Sequence, residues 1–247
     1  MSPLLEFRNV SKRFGAIHAL GNVDFALQAG EVVGLMGDNG AGKSTLAKLI
    51  AGNFQPSEGQ IFLGGAETRF ADSLDARTRG IEAVYQDLAL CDNLTAADNV
   101  FLGRELKRRV GPFRFLDYGA MARRAGELFA ELQSETRPRD VVRMMSGGQR
   151  QAVAIARTRL ADARIVLMDE PTAAISVRQV TQVLALIERL RARGVTVLLI
   201  SHRMPDVFAV SDRIFVLRRG RKVAEKAIKD SSPEEVTGLI TGAIHAA

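Results

Sequence analysis

Residues 37–44 read Gly37-Asp38-Asn39-Gly40-Ala41-Gly42-Lys43-Ser44, and this stretch decides the fold. Its spacing, G-x-x-x-x-G-K-[ST], is that of a loop whose backbone N–H groups surround phosphate oxygens. The apolar segment 31–36 before it predicts a strand, and the segment 45–51 after it predicts a helix that ends at Gly52. The sequence therefore predicts a strand, a phosphate-binding loop and a helix whose N-terminus faces an anion.

The polar side chains at the end of this loop have separate expected tasks. Lys43 is long enough to reach the β- and γ-phosphates of a nucleoside triphosphate, and the Ser44 hydroxyl is a ligand for Mg²⁺. Phosphoryl transfer depends mostly on positioning and charge neutralisation, so Lys43 is also a candidate catalytic residue. The residues expected to contact ATP here are Gly37, Asp38, Asn39, Gly40, Ala41, Gly42, Lys43, Ser44 and Thr45.

Composition places the chain among ordinary globular proteins. It has 247 residues, of which 47% are hydrophobic and 25% are charged. No apolar run approaches the roughly 20 residues that span a bilayer. The N-terminus lacks the pattern of a signal peptide. The single cysteine, Cys91, excludes an internal disulfide and fits a reducing compartment.

The chain is basic, with a formal net charge of +6. The positive charge is clustered at 107–109, 123–124, 189–193 and 218–222. Such clusters are compatible with nucleic acid, with an anionic membrane face, or with a solvated arginine-rich surface, and we favour the last. Aromatic residues are few and do not interleave with these clusters along the chain, which weakens the nucleic-acid interpretation.

The order of predicted elements indicates an α/β protein with a parallel sheet and a single domain over 1–247. Residues 1–30 predict an antiparallel β region with a turn at 11–15. A helical lobe, 88–161, is expected to be inserted into a core formed by 1–87 and 162–247. Within the lobe we expect helices at 94–102 and 118–134 and, because of its glycine and proline, a loop at 104–115.

The second half of the core is expected to contain alternating strands and helices. These elements are strand 165–168, helix 176–193 closed by Gly194, strand 195–200, and hairpin 213–226. Ser232 is expected to cap a last helix, with Pro233 in its first turn and Glu235 completing a capping box.

Two strand ends carry the acidic and imidazole side chains expected to complete the chemistry. Asp169 and Glu170 follow strand 165–168, and His202 follows strand 195–200. The carboxyl ends of parallel strands meet at the ligand-binding edge of a sheet. We expect Asp169 to lie in the outer shell of Mg²⁺, Glu170 to orient and deprotonate the attacking water, and His202 to contact the γ-phosphate or that water.

A further helix start is predicted at 145–149. The segment reads Met145-Ser146-Gly147-Gly148-Gln149, and Ser146 is a good N-cap. Two glycines at a helix start each cost up to about 1 kcal/mol relative to alanine. They leave backbone N–H groups open to an anion.

Taken in order, the motifs at 37–44, Gln86, 145–149, 169–170 and His202 resemble the nucleotide-binding subunit of an ABC transporter over nearly the whole chain. The resemblance implies that Gln86 contacts Mg²⁺ and water, and that a groove beside it receives a coupling helix of a membrane permease. It also implies head-to-tail pairing with a second copy or a paralogue. Ser146, Gly147, Gly148 and Gln149 of one chain would then close on the ATP of the other. Phe14 occupies the position at which the family stacks an aromatic ring on adenine.

The sequence departs from the family pattern at two positions. Met145 replaces the leucine of the signature segment, a change of similar volume from which we expect little effect. The segment 171–176 ends in Ser176 where the family has aspartate. This second change puts in doubt the contact between that segment and the phosphate loop of the opposite chain.

Within the family, the segments 84–90, 99–105 and 200–204 look most like bacterial importers of monosaccharides of the ribose, xylose and fructose type. This resemblance implies an ATPase at the cytoplasmic face of the membrane that drives a permease, with a periplasmic or extracellular solute-binding protein as an indirect partner. One alternative is a soluble ABC-type ATPase acting on nucleic acid or ribosomes, which only the basic charge supports. Another is a cassette for amino acids or other small solutes.

Overall fold

The computed structural model describes residues 2–85, 88–173 and 175–244. These residues form an α/β fold of twelve strands and eight α-helices. The strands are β1 (Leu5–Phe14), β2 (Ile17–Leu27), β3 (Val32–Met36), β4 (Glu58–Leu63), β5 (Ala66–Glu67), β6 (Ile81–Val84), β7 (Lys107–Val110), β8 (Phe113–Leu116), β9 (Ile165–Asp169), β10 (Thr196–Ile200), β11 (Arg213–Arg218) and β12 (Arg221–Ala227). The helices are α1 (Lys43–Ile50), α2 (Ser73–Thr78), α3 (Ala96–Phe101), α4 (Tyr118–Glu131), α5 (Gly147–Leu160), α6 (Val177–Ala192), α7 (Met204–Val210) and α8 (Pro233–Thr241).

A six-stranded sheet, in the order β12-β11-β3-β10-β9-β6, forms the centre of the molecule. All its neighbouring strands pair in parallel except β12, which is antiparallel to β11 at one edge. The expected parallel sheet is confirmed. Because β3, β9 and β10 are parallel, their carboxyl ends meet at one edge, and the segments that follow them converge there.

The central strands are buried on both faces. In β9, Val166 and Met168 belong to a core shared with helices α3 to α8, whereas Ile165 and Leu167 belong to a second core shared with α1 and the N-terminal strands. This alternation follows from the period of two in a strand. Burial on both faces explains why β9 and β10 read as continuous apolar runs in the sequence.

A four-stranded antiparallel sheet, β2-β1-β4-β5, covers the second core. The expected antiparallel region is confirmed, but the turn predicted at 11–15 is wrong. Strand β1 continues to Phe14, with irregularities in its register between Phe7 and Arg13, and β2 resumes at Ile17. Polar residues lie at these irregularities of the strand, and in the sequence they resemble a turn.

The predicted loop at 104–115 is also wrong, because a two-stranded hairpin forms there. Strands β7 and β8 pair in antiparallel fashion from Lys107 opposite Leu116 to Val110 opposite Phe113. Gly111, with φ of 59°, and Pro112 form the turn between them. The residues that suggested a loop thus mark only the tip of a hairpin.

The remaining predicted helices and strands are confirmed to within a few residues. Only the capping box predicted for the last helix differs. Ser232 caps α8 by accepting a hydrogen bond from Glu235 N, as expected. The Glu235 carboxylate, however, accepts a hydrogen bond from Lys226 Nζ at 2.5 Å instead of closing a capping box. Among the described residues, no helix combines the length and the hydropathy needed to cross a bilayer.

Candidate functional site

The phosphate loop connects β3 to α1, as predicted, and it packs tightly against β2. Gly42 has φ of 106°, and a Cβ placed there would lie 2.9 Å from the Ala19 carbonyl oxygen and 2.7 Å from Leu20 Cδ2. Only glycine fits this combination of backbone angle and close approach. Gly42 is also the N-cap of α1, and it provides no side-chain hydrogen bond. The first N–H groups of α1 are therefore available to an anion.

Lys43 folds back across the loop. Its Nζ donates hydrogen bonds to the carbonyl oxygens of Gly37 at 2.7 Å and Asp38 at 3.0 Å. The Asp38 carboxylate accepts a hydrogen bond from Asn39 N at 2.7 Å, which holds the outer part of the loop. An ammonium group held by two carbonyl oxygens at this loop can exchange them for phosphate oxygens, which carry a full negative charge.

The carboxylates Asp169 and Glu170 lie at the end of β9, beside β10. Glu170 N donates a hydrogen bond to the Ile200 carbonyl oxygen at 2.8 Å, and Glu170 has a positive φ of 51°. Such backbone strain concentrates at functional sites. Burial raises the pKa of the Asp169 carboxyl, and the Glu170 charge raises it further, whereas Lys43 and Lys48 lower it. Lys43 is thus close enough to interact electrostatically with Asp169.

His202 and Glu170 are brought together by neighbouring strands. His202 Nδ1 lies 2.8 Å from Glu170 Oε2, and the side chains are 68% and 16% exposed, respectively. Although close to the imidazole, Oε2 is buried and accepts no well-aligned hydrogen bond from the described residues. A buried carboxylate oxygen of this kind can accept a hydrogen bond from a water molecule at the edge of the sheet.

The residues that hold these two segments in place were not predicted from the sequence. Thr172 Oγ1, just after Glu170, donates a hydrogen bond of 2.5 Å to Oδ2 of the buried Asp206 in α7. The same oxygen lies 3.2 Å from Arg203 Nε, just after His202. Asp206 therefore ties the segment after β9 to the segment after β10. Nothing in the sequence signals this contact, because the partners lie 34 positions apart.

The helix start predicted at 145–149 is confirmed, with Ser146 as the N-cap of α5. The Ser146 hydroxyl accepts a hydrogen bond from Gln149 N at 3.3 Å, and Gln149 Oε1 accepts one from Ser146 N at 2.9 Å. A Cβ on Gly147 would lie 2.9 Å from Ile175 Cγ2, and one on Gly148 would lie 2.8 Å from Gln182 Oε1. Close approach of Ile175, just before α6, therefore supplies a packing reason for Gly147, which the sequence did not reveal. The contact at Gly148 is with the end of the flexible Gln182 side chain, which can move aside.

The predicted site residues do not all meet in one chain. Ser146, Gly148 and Gln149 line a cavity of about 510 Å³ with α6 and the end of α4. Asp38, Asn39, Gly40 and Ala41 line a different cavity with residues from 218–223 and 240–242. Thus the signature segment and the phosphate loop face separate spaces in the described part of the molecule.

Three other positions singled out in the sequence are Phe14, Gln86 and Ser176. Phe14 is partly exposed, and its ring meets that of Phe54 edge to face at 5.1 Å, so part of its surface is accessible. Gln86 lies outside the described residues. Ser176, which stands where the family has aspartate, is the N-cap of α6 and forms a capping box with Gln179. Serine and aspartate are both good N-caps, so the departure preserves the start of the helix.

The sequence matches a family model described as "ABC transporter" over residues 20–173. Among the relatives is the fructose import ATP-binding protein FrcA of Rhizobium meliloti, which is 44% identical over 98% of this chain and 95% of that protein. The xylose/arabinose import ATP-binding protein XylG of Sulfolobus acidocaldarius is 43% identical, with the same coverage. A ribose import ATP-binding protein of Rubrobacter xylanophilus is 41% identical over 98% of this chain, which spans 48% of that protein.

Solved structures agree with the family. An ATP-binding cassette solved as a dimer, in a post-hydrolysis state with ADP and Pi, superposes with a TM-score of 0.75 at 29% identity, covering 91% of this chain and 98% of that one. A second cassette, solved in its ADP conformation, has a TM-score of 0.83 at 23% identity and covers 98% and 96%, respectively; this likeness shows the fold alone. From the family match, the full-length relatives and the shared fold, we conclude that this chain belongs to the ABC transporter family, as one of its ATP-binding cassettes.

Proposed function

We propose that this chain is the ATP-hydrolysing subunit of an importer for a monosaccharide. The observation that carries the proposal is the arrangement at the edge of the sheet. The phosphate loop with Lys43 follows β3, and the paired Glu170 and His202 follow the nearby strands β9 and β10. The names of the relatives, which import fructose, xylose or arabinose, and ribose, support a sugar as the transported solute.

The side chains divide the chemistry of hydrolysis between them. Backbone N–H groups of the loop and of the first turn of α1 bind the phosphates, and Lys43 neutralises charge that grows on the γ-phosphate. Glu170 accepts a hydrogen bond from the attacking water and takes its proton, because its buried Oε2 has unused acceptor capacity. His202 lies beside the Glu170 carboxylate, with Nδ1 2.8 Å from Oε2, and its other ring nitrogen is left for the nucleotide.

Mg²⁺ fits the donor set at this edge of the sheet. A divalent cation bound to a nucleotide takes most of its ligands from phosphate and water, and one or two from the protein. Ser44, exposed in the first turn of α1, and Asp169, half-buried at the end of β9, would hold it. When bound, Mg²⁺ neutralises phosphate charge. Among the described residues, no cluster of three or more His, Cys, Asp or Glu could hold a metal without the nucleotide.

A second cassette would complete the site. Ser146 and Gly148 face a different cavity from the phosphate loop of their own chain, so they are available to the nucleotide of a partner. Met144 and Val177, which flank the two capped helix starts near Ser146 and Ser176, are each 81% exposed. Covering these apolar side chains would favour association. The dimeric cassette structure with ADP and Pi supports this arrangement.

The groove expected to receive the permease has a small excess of positive charge in its lining. Tyr85, Ala89 and Arg157 help to line it. The buried Glu82 carboxylate accepts hydrogen bonds from Arg104 at 2.7 Å and Arg77 at 3.2 Å. Burial lowers the pKa of Arg157, and the Arg77 charge lowers it further. Two lining arginines beside one glutamate, with Arg104 bound to that glutamate, would favour a permease segment that carries a carboxylate, at the cytoplasmic side of the membrane.

Uptake of labelled sugars tests the proposal in cells. A strain lacking this chain should lose uptake of one monosaccharide among fructose, ribose, xylose and arabinose. The wild-type chain should restore uptake, and the Glu170→Gln chain should not. Unchanged uptake of all four sugars, together with normal ATP hydrolysis by the purified chain, would contradict the sugar assignment alone. Absence of Mg²⁺-dependent ATP hydrolysis would contradict the whole proposal.

A further inference from the structure

The hairpin formed by β7 and β8 is rich in basic residues, and both of its strands lie at the surface. Residues 106–116 contain four basic side chains, Lys107, Arg108, Arg109 and Arg114, and no acidic ones. All eight residues of the two strands are exposed. The hairpin therefore adds nothing to the hydrophobic core, and packing within this chain does not explain its apolar residues.

The register of the hairpin sorts its side chains onto two faces. Arg108 is opposite Phe115, and Val110 is opposite Phe113, so these four side chains share one face. Phe113 is 65% exposed, Val110 52% and Phe115 51%. The two phenylalanine rings lie 6.3 Å apart. One face is thus an exposed apolar surface with a cation at its margin.

The opposite face carries most of the positive charge. Arg109 is opposite Arg114, and Lys107 is opposite Leu116. The expectation that aromatic residues do not interleave with the basic clusters is wrong here, because Phe113 and Phe115 flank Arg114 in the sequence and strand pairing places Phe115 opposite Arg108. Cross-strand pairing therefore adds further basic side chains beside these two rings.

Exposed apolar side chains are concentrated around this hairpin. Seven of the thirteen large apolar side chains exposed in the described residues lie between 102 and 118. They are Leu102, Leu106, Val110, Phe113, Phe115, Leu116 and Tyr118. A concentration of exposed apolar side chains marks an interaction site. The four basic side chains of the hairpin lie within the same stretch, 102–118.

We propose that this hairpin binds the surface of an anionic lipid bilayer. Basic side chains attract acidic headgroups, and aromatic and aliphatic side chains enter the boundary between headgroups and acyl chains. Long basic side chains can keep their charge among the headgroups while their stems cover apolar surface. Single-stranded nucleic acid also attracts cations and aromatic rings, but it gains nothing from the exposed leucines and valine.

Lipid binding by the hairpin is separate from ATP hydrolysis and does not depend on it. Contact with the bilayer would give the cassette a second, direct attachment beside the one to its permease. Neither phosphate-loop residues nor the pair Glu170 and His202 belong to the hairpin. A failure of lipid binding would therefore leave the proposed ATPase untouched, and a failure of hydrolysis would leave the hairpin proposal untouched.

Tryptophan fluorescence provides a direct test, because the chain has no tryptophan. Phe115→Trp places a single probe on the apolar face of the hairpin. Leu74→Trp, at a position 62% exposed in α2, is the matched control. With vesicles of phosphatidylglycerol and phosphatidylcholine, emission of the first variant should shift to the blue and that of the control should not. Equal behaviour of the two probes would overturn the proposal.

Vesicle flotation then tests whether lipid binding depends on the charge at the hairpin or only on the net charge of the chain. Arg108→Gln with Arg109→Gln should weaken binding to anionic vesicles about thirtyfold, since each basic residue near such a surface contributes about fivefold. Arg69→Gln with Lys229→Gln removes the same charge from exposed positions elsewhere and should have little effect. Equal losses in the two variants would overturn the proposal. So would tighter hairpin-dependent binding to oligothymidylate than to the vesicles.

Discussion

Two helix N-termini of this chain, those of α1 and α5, are both expected to face phosphate, yet they are built in opposite ways. The start of α1 has Gly42 as its N-cap and no side-chain hydrogen bond. The start of α5 has a complete capping box between Ser146 and Gln149. An uncapped helix start leaves its N–H groups for a ligand, whereas a capped start satisfies part of its own hydrogen bonding.

This difference matches the tasks proposed for the two ends. The phosphate loop would hold the nucleotide in every state of binding, so its donors are left for the anion. The signature segment would meet the nucleotide only when a second chain arrives, so it must be stable in water before that. Its capping box provides this stability, while the N–H groups of Gly147 and Gly148 stay available for the later contact.

The largest expected effect comes from removing the charge at the phosphate loop. Lys43→Ala should lower the kcat of ATP hydrolysis by at least about a hundredfold, because it removes a cation from the developing charge on the γ-phosphate. Steady-state phosphate release measures the effect. Lys48→Ala, in the last turn of the same helix, is the control and should keep most of the activity. Near-normal hydrolysis by Lys43→Ala would contradict the assignment of the loop.

A smaller effect should separate the signature segment from an ordinary capped helix. Ser146→Ala and Ser176→Ala each remove an N-cap with a capping box, and each should lower the free energy of unfolding by about 1 kcal/mol. Denaturant titration measures this loss.

Only Ser146→Ala should also slow ATP turnover, by about tenfold, which is the equivalent of one hydrogen bond to a charged group. Equal turnover in the two variants would show that Ser146 acts only as a cap.

The smallest expected effect concerns how the stability of the chain changes with pH through the Asp169 carboxyl. The pKa of Asp169 is raised, chiefly by burial, from an ordinary value of 3.8. The folded chain therefore holds this proton more tightly than the unfolded chain does. As the pH rises from below the ordinary value through the raised one, ionisation of Asp169 should reduce stability.

Asp169→Asn should remove that loss and slightly stabilise the nucleotide-free chain near neutral pH, while it impairs Mg²⁺-dependent hydrolysis. Thermal unfolding at several pH values measures the first effect. A stability difference between variant and wild type that stays constant with pH would contradict it.

The sequence was sufficient for the elements whose signals are local. The glycine spacing at 37–44, the apolar runs of β9 and β10, and the caps at Ser146 and Ser232 all depend on residues within one turn or one strand. Each of these elements was confirmed.

Features that depend on distant partners could not be found in this way. The hydrogen bond between Thr172 and Asp206 and the packing of Gly147 on Ile175 arise only after the chain has folded. The hairpin at 107–116 was missed for a related reason. Its glycine and proline suggested a loop, whereas the strand character became visible only in the cross-strand pairs.

Light scattering of the Glu170→Gln chain measures most directly whether a nucleotide is enclosed between two copies. With ATP and Mg²⁺, this variant should bind the nucleotide, fail to hydrolyse it and double its molar mass. With ADP it should return to the monomer. A variant that keeps ATP bound but remains monomeric, or one that hydrolyses ATP at the wild-type rate, would contradict the two-chain site.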